Sequence, residues 1–240
     1  MVSNQNEKLA VLIDADNAQS SIVRELLAEV SRYGTASVKR AYGDWTTPNL
    51  KGWKDVLHEF GVQPMQQFSY TAGKNSTDSS LIIDAMDLLC SGRLNGFCLV
   101  SSDSDFTRLA TRIRESGLVV YGFGEKKTPR SFVAACDKFI YTEILRPNEK
   151  PSVADEPAPE PIEPMLMAAV TASAREDGWS PLSAIGSLIN KNNPSFDPRN
   201  YHCEKLGELV RKQSYLQVDE VPAREGSTNM LIYVRFKPLA

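Results

Sequence analysis

Short apolar runs alternate with amphipathic stretches through the first 145 residues. Runs rich in β-branched and aromatic residues predict strands at Ala10–Ile13, Ala36–Tyr42, Val62–Phe68, Gly96–Ser101, Val119–Phe123 and Phe139–Thr142. Between them, helical spacing predicts Ala18–Arg32, Pro48–Phe60, Asp78–Ser91, Phe106–Ser116 and Pro129–Cys136. Gly34, Gly61, Gly92 and Gly117 each fall just after a predicted helix, where a left-handed cap residue is wanted. This β-α-β-α order gives an α/β class, with a parallel sheet covered by helices on both faces.

The pattern then breaks. Residues 146–164 read RPNEKPSVADEPAPEPIEP, with six prolines and few large apolar groups. Proline removes backbone donors and favours extended chain, so this acidic stretch reads as a semi-rigid linker. It divides the chain into a body (1–145) and a tail (165–240). The tail predicts three short helices: Leu166–Ala174, one opened by Ser180-Pro-Leu-Ser183, and Asn200–Arg211. Two strands follow, Val218–Val221 and Met230–Phe236, joined through Arg224-Glu-Gly-Ser-Thr. Three helices and a hairpin form a winged-helix plan, whose third helix and wing commonly meet nucleic acid.

Composition narrows the choices only a little. A 42% apolar content supports a packed core, and the net charge of −3 neither requires nor excludes a polyanionic partner. The body carries 16 basic and 17 acidic residues, but its surface leans basic once four aspartates discussed next are set aside. Cys90, Cys98, Cys136 and Cys203 form no C-x-x-C pair, so reduced thiols are expected. His58 and His202 are the only histidines, which leaves little room for histidine catalysis. With no apolar leader or membrane-length run, the expectation is a soluble, cytoplasmic protein without membrane contact.

Asp14 ends the first apolar run, and Asp103 and Asp105 follow the run Phe97–Val100. Carboxyl ends of parallel strands share one crevice, so these acids converge there. At roughly 100° per residue, Leu81, Ile82, Ala85, Leu88 and Leu89 lie within a quarter turn of Asp78, which puts that acid on the buried stripe of its helix. Asp87 points away from the stripe, and Asp84 lies about a third of a turn off it, near the site's flank or near a cation. Grouped carboxylates repel unless a divalent ion sits among them, and hard oxygen ligands suit Mg²⁺ or Mn²⁺. Metal-dependent phosphate chemistry follows. Asn17 can cap the first helix or hold the Asp14 rotamer, and small hydroxyls around Asp103 leave room for a phosphate. Lys74 can meet a phosphate, Trp45 a base, and Lys126, Lys127 and Arg130 a strand's backbone.

Four segments carry a resemblance: Val11-Leu-Ile-Asp-Ala-Asp-Asn17, Ala41-Tyr-Gly-Asp-Trp45, Lys74–Asp84 and Leu99–Phe106. Together they make the body resemble an NYN domain, a PIN-like, Rossmannoid branch of metal-dependent ribonucleases that includes LabA-type proteins. The resemblance implies Asp14, Asp78, Asp103 and Asp105 as metal-binding, catalytic acids. Asn17, Asp84 and Ser102 would be supporting polar positions. It implies hydrolysis of RNA phosphodiesters with Mg²⁺ or Mn²⁺.

Asp177-Gly-Trp179-Ser-Pro-Leu, Phe196–Tyr201 and Lys205-Leu-Gly-Glu-Leu209 make the tail resemble a LOTUS (OST-HTH) domain. That pattern usually has a glycine after the tyrosine, where this chain has His202. The likeness implies single-stranded RNA or a protein as partner, a homodimer also being open. Lys205, Arg211, Lys212 and Arg224 are the candidate contacts.

Two other readings compete with the ribonuclease. Asp14-Ala-Asp16 mimics the nucleophile and acid of haloacid-dehalogenase-like phosphatases, but Ala18 stands where that family expects Thr or Val. A non-catalytic RNA-binding adaptor on the same fold is the third reading.

Overall fold

In a computed structural model, residues 7–67, 76–146, 161–223 and 230–238 are described. The chain divides into two compact units, Met1–Asp155 and Glu156–Ala240.

In the first unit, β1 (Lys8–Asp14), β2 (Thr35–Gly43), β3 (Gln63–Gln66), β4 (Gly96–Val100), β5 (Val119–Gly124) and β6 (Lys138–Tyr141) form one sheet. All its pairings are parallel, in the order β3-β2-β1-β4-β5-β6. The order reverses direction between β1 and β4, which opens a crevice beyond their carboxyl ends. Alternation along β1 explains why this strand is apolar on both sides. Leu9, Val11 and Ile13 pack against α1 (Val23–Val30) and α2 (Trp53–Phe60) on one face. Ala10 and Leu12 pack on the other face, with α3 (Ser76–Cys90), α4 (Thr107–Glu115) and α5 (Arg130–Ala135). A parallel sheet covered on both faces requires such near-continuous apolar strands. Pro64 is tolerated because β3 is an edge strand.

Four of the five predicted helices of this unit start later than expected, whereas α3 starts two residues earlier, at Ser76. Ser20–Ile22, Pro48–Leu50 and Ser104–Phe106 are 3₁₀ turns that lead into α1, α2 and α4. The tighter turn lets the chain leave a strand end before the α-helical ladder begins. Gly61, Gly92 and Gly117 have positive φ, as C-cap residues do, but Gly34 does not. Its glycine answers to space: a Cβ there would lie 2.5 Å from the Glu7 carbonyl oxygen. The third predicted strand ends at Gln66, and Phe68 lies outside the described residues. Cys98, Cys136 and Cys203 are buried free thiols, whereas Cys90 is exposed. Among the described residues no helix is long and apolar enough to cross a membrane.

The second unit contains α6 (Ile162–Ser173), β7 (Ser180–Pro181), α7 (Leu182–Asn192), α8 (Leu206–Arg211), β8 (Leu216–Pro222) and β9 (Met230–Phe236). Leu166, Val170, Ile185, Ile189, Leu209, Val210 and Val234 form its core. Helix begins at Ile162, inside the stretch expected as linker; Pro164 fits because the first turn needs no donor. The two-residue β7 was not foreseen; it makes an antiparallel sheet in the order β7-β9-β8. Trp179 is half-buried, with the Arg235 guanidinium 4.5 Å from its ring centroid.

The expected helix Asn200–Arg211 is broken. Asp197 opens a 3₁₀ turn, Pro198–Tyr201, by accepting the Arg199 backbone N–H at 2.9 Å. His202 then stands at φ 55°, ψ 38°, and the chain runs extended at Lys205 before α8 begins. His202 is the one described non-glycine residue with positive φ. It occupies the place where the LOTUS pattern has glycine. A left-handed L-residue costs about 1–2 kcal/mol, partly offset by the backbone entropy a glycine would lose. His202→Gly should therefore stabilise the second unit by about 0.5–1 kcal/mol. Denaturant titration of the full chain checks this, and a lower midpoint for that unit would contradict it.

Candidate metal centre

Period-two geometry sets the deepest acid. Asp14 follows Ala10 and Leu12 on the face of the sheet that α3 covers, and it is only 1% exposed. On β4, Phe97 and Leu99 share that face, so the next residue in phase is Ser101. Its hydroxyl donates to Asp14 Oδ2 at 2.8 Å, and Asn17 Nδ2 donates to the same oxygen at 2.7 Å. Asp14 Oδ1 is buried with no hydrogen-bond partner among the described residues. Burial pushes the Asp14 carboxyl above its ordinary value, against the Asn17 and Ser101 hydrogen bonds, and the neighbouring Asp16 charge adds to the rise.

The β4–α4 turn brings two more acids. Ser101 Oγ accepts the Asp103 backbone N–H at 3.1 Å, and Asp103 Oδ1 accepts that of Asp105 at 3.0 Å. One serine therefore fixes both Asp14 and the backbone at Asp103. Asp78 comes from the first turn of α3, whose Leu81 and Ala85 are buried against the sheet. Carboxylate oxygens of Asp78, Asp103 and Asp105 all lie within 4.8 Å of one another. Burial and then the charges of Asp14, Asp103, Asp105 and Asp16 push the Asp78 carboxyl up to about 6. Asp14 thus lies close enough for its charge to bear on Asp78, although it stands deeper than the group of three.

These residues fit a small divalent cation. Oxygens sharing an ion at about 2.1 Å lie at most about 4.2 Å apart, so the group of three needs only a small contraction. A partnerless buried carboxylate oxygen is costly unless a cation meets it. The donor set is all oxygen, which suits Mg²⁺ or Mn²⁺.

Other expected positions lie elsewhere. Asp84 accepts from Arg40 Nη1 and from the Tyr42 hydroxyl, both at 2.9 Å, so a cation already partners it. Tyr42 is fully buried, and Asp87 is exposed. Ser102 Oγ accepts the Glu125 backbone N–H at 2.8 Å, tying the ends of β4 and β5 together. Trp45 donates its indole N–H to the Met65 carbonyl at 3.0 Å and meets Trp53 edge-on, so its ring is partly committed to packing. Lys126, Lys127 and Arg130 lie at the turn after β5, where Lys127 pairs with Glu125 at 2.6 Å. Lys205 is exposed at the start of α8. Arg211 pairs with Glu220, and Lys212 with Glu208 at 2.9 Å. Lys74 and Arg224 lie outside the described residues. Ser101 is the residue that reading the sequence missed; its phase with Phe97 and Leu99 was the available signal.

A family model for the NYN domain matches residues 8–145, and one for the OST-HTH/LOTUS domain matches residues 159–228. The chain belongs to the NYN family, a nuclease-type domain, and carries an RNA-binding OST-HTH/LOTUS module behind it. No curated protein matches it. Among solved structures, it is similar to a protein of unknown function from Vibrio parahaemolyticus (21% identity, TM-score 0.48), covering 58% of this chain and 94% of that one. An uncharacterised Nitrosomonas europaea protein shares 28% identity over 40% of this chain and 92% of its own, with a TM-score of 0.30. Part of a Chromobacterium violaceum protein shares 35% identity over 35% of this chain and 89% of its own, with a TM-score of 0.27.

The crowded acids make a prediction for the metal-free protein. With Asp78 at about 6 when folded against an ordinary 3.8, the folded chain binds more protons than the unfolded one between those values. Stability therefore falls as pH rises through that window. In chelator at neutral pH, Asp78→Asn should raise the melting temperature by about 2–4 °C, the effect of ~1 kcal/mol after solvent screening. Its melting temperature should also vary less between pH 4 and pH 6 than the unaltered chain's. Scanning calorimetry showing no rise would mean that the acids do not repel.

Proposed function

We propose that this chain is a metal-dependent ribonuclease that hydrolyses phosphodiester bonds of single-stranded RNA, with its OST-HTH/LOTUS unit helping to hold that RNA. The observation that carries this reading is the buried Asp14 oxygen, with no hydrogen-bond partner among the described residues, together with three clustered carboxylates from α3 and the β4–α4 turn of a nuclease-type fold. Asp14, Asp78, Asp103 and Asp105 would hold Mg²⁺ or Mn²⁺. When bound, such an ion supplies Lewis acidity and offsets charge at a phosphodiester.

The chain's own residues do the positioning. Asn17 and Ser101 lock Asp14 at the base of the crevice. The Asp105 backbone N–H orients Asp103. Asp78 arrives on a separate helix, so the charge distribution depends on the packing of α3 against β1. Asp105 is exposed at the rim, where it leaves the crevice open to a long substrate. Neither histidine belongs to this group: His58 lies in α2 and His202 in the second unit.

Asp103→Asn should reduce cleavage of labelled RNA by more than about 100-fold, beyond the 10–100-fold typical of losing an outer-shell partner, while RNA binding persists. Ser101→Ala should fall within that 10–100-fold range, through looser Asp14 and Asp103. Gel assays with Mn²⁺, with and without chelator, measure both. Undiminished cleavage by Asp103→Asn would refute the assignment. RNA that is bound in Mn²⁺ but never shortened by the unaltered chain would replace it with the adaptor reading.

A further inference from the structure

A groove lies between α3 and α4, the two helices that follow the acids. Asp78, Ile82 and Met86 follow at intervals of four on α3 and so share one stripe. On α4, Arg108 and Arg112 form a matching pair, the first just three residues beyond Asp105. Ile82, Met86 and Leu109 line the groove together with both arginines, Thr111 and Glu115. Asp78 lies in the first turn of α3 and Asp105 just ahead of α4, so both helices that line the groove start near the acids.

The groove's chemistry is that of a polyanion with flat, apolar faces. Arg108 and Arg112 are exposed, about 6 Å apart along the helix at 1.5 Å per residue. Guanidinium forks match phosphate oxygens better than any other side chain does. Arg112 meets Glu115 at 3.7 Å, with both side chains more than half exposed. Such a pair is weak and yields readily to a phosphate. Ile82 and Met86 offer apolar surface to base faces, and next to them Ile83 is 61% exposed.

We propose that this groove is the track along which single-stranded RNA leaves the acid cluster. Successive phosphates sit on Arg108 and Arg112, and the bases lie against Ile82 and Met86. The inference rests on the ribonuclease reading for its direction, and the charge complementarity supplies the occupant.

The test compares Arg108→Gln/Arg112→Gln with the unaltered pair in the full chain. For binding, both chains also carry Asp103→Asn so that the RNA stays intact, and anisotropy follows a labelled, unstructured oligoribonucleotide across salt concentrations. Affinity should fall about tenfold, and the log–log salt slope should shrink by about 1.4, from two phosphate contacts at about 0.7 each. Any contribution from the second unit is the same in both chains. For cleavage, with Asp103 intact, the double variant should raise KM for a long oligonucleotide. The single variant Arg112→Gln should leave cleavage of a trinucleotide, too short to reach that residue, as it was. An unchanged salt slope together with an unchanged KM would overturn the track and leave the groove to a protein partner. A native chain that cleaves nothing would sink the ribonuclease reading, while the salt slope would still decide whether RNA lies in the groove.

Discussion

Asp14 is a carboxylate held almost entirely out of water, with one oxygen satisfied by Asn17 and Ser101 and the other by no described group. Burying a charge this way is destabilising unless something positive meets it. The sheet tolerates it only at the end of a strand, where the order reverses and the crevice opens. Every other feature of the site is arranged around that point. Ser101 links it to the Asp103 backbone, Asp103 holds the next turn, and α3 delivers Asp78 from the same face. The fold concentrates negative charge, and a cation is the natural complement.

Much of this was legible in the sequence because it follows from strand periodicity. An apolar run ending in aspartate puts that acid at the carboxyl end of its strand, and a stripe count on α3 put Asp78 toward the core. The parallel sheet with helices on both faces and the winged-helix plan of the second unit came from the same alternation. Three details did not. Ser101 looked like one of several serines; its phase with Phe97 and Leu99 puts it on the right face, and the register of β1 and β4 then brings it to Asp14. Gly34 reads as a helix cap, yet its reason is the passing Glu7 carbonyl, a contact no local pattern encodes. The third helix of the second unit breaks at His202 because a left-handed residue there ends the 3₁₀ turn; the glycine of the LOTUS pattern marks that place, and histidine hides it.

Surface contacts were the least legible. Asp84 pairs with Arg40 and accepts a hydrogen bond from the Tyr42 hydroxyl, both from β2, a pairing set by tertiary packing. Trp45 is drawn partly into packing with Trp53. The groove arginines Arg108 and Arg112 resembled any solvated helix face; their meaning comes from lying beside the α3 stripe that begins at Asp78. Charge on a helix is ambiguous until its neighbour is known.

The central claim is that these separately encoded acids share one divalent ion. Calorimetric titration of Mn²⁺ into the chelator-stripped, full-length protein addresses it directly, with Asp14→Asn as the comparison. Saturable binding by the unaltered chain, lost when Asp14 becomes amide, is the predicted result. Equal binding by both chains, or none by either, would contradict the account.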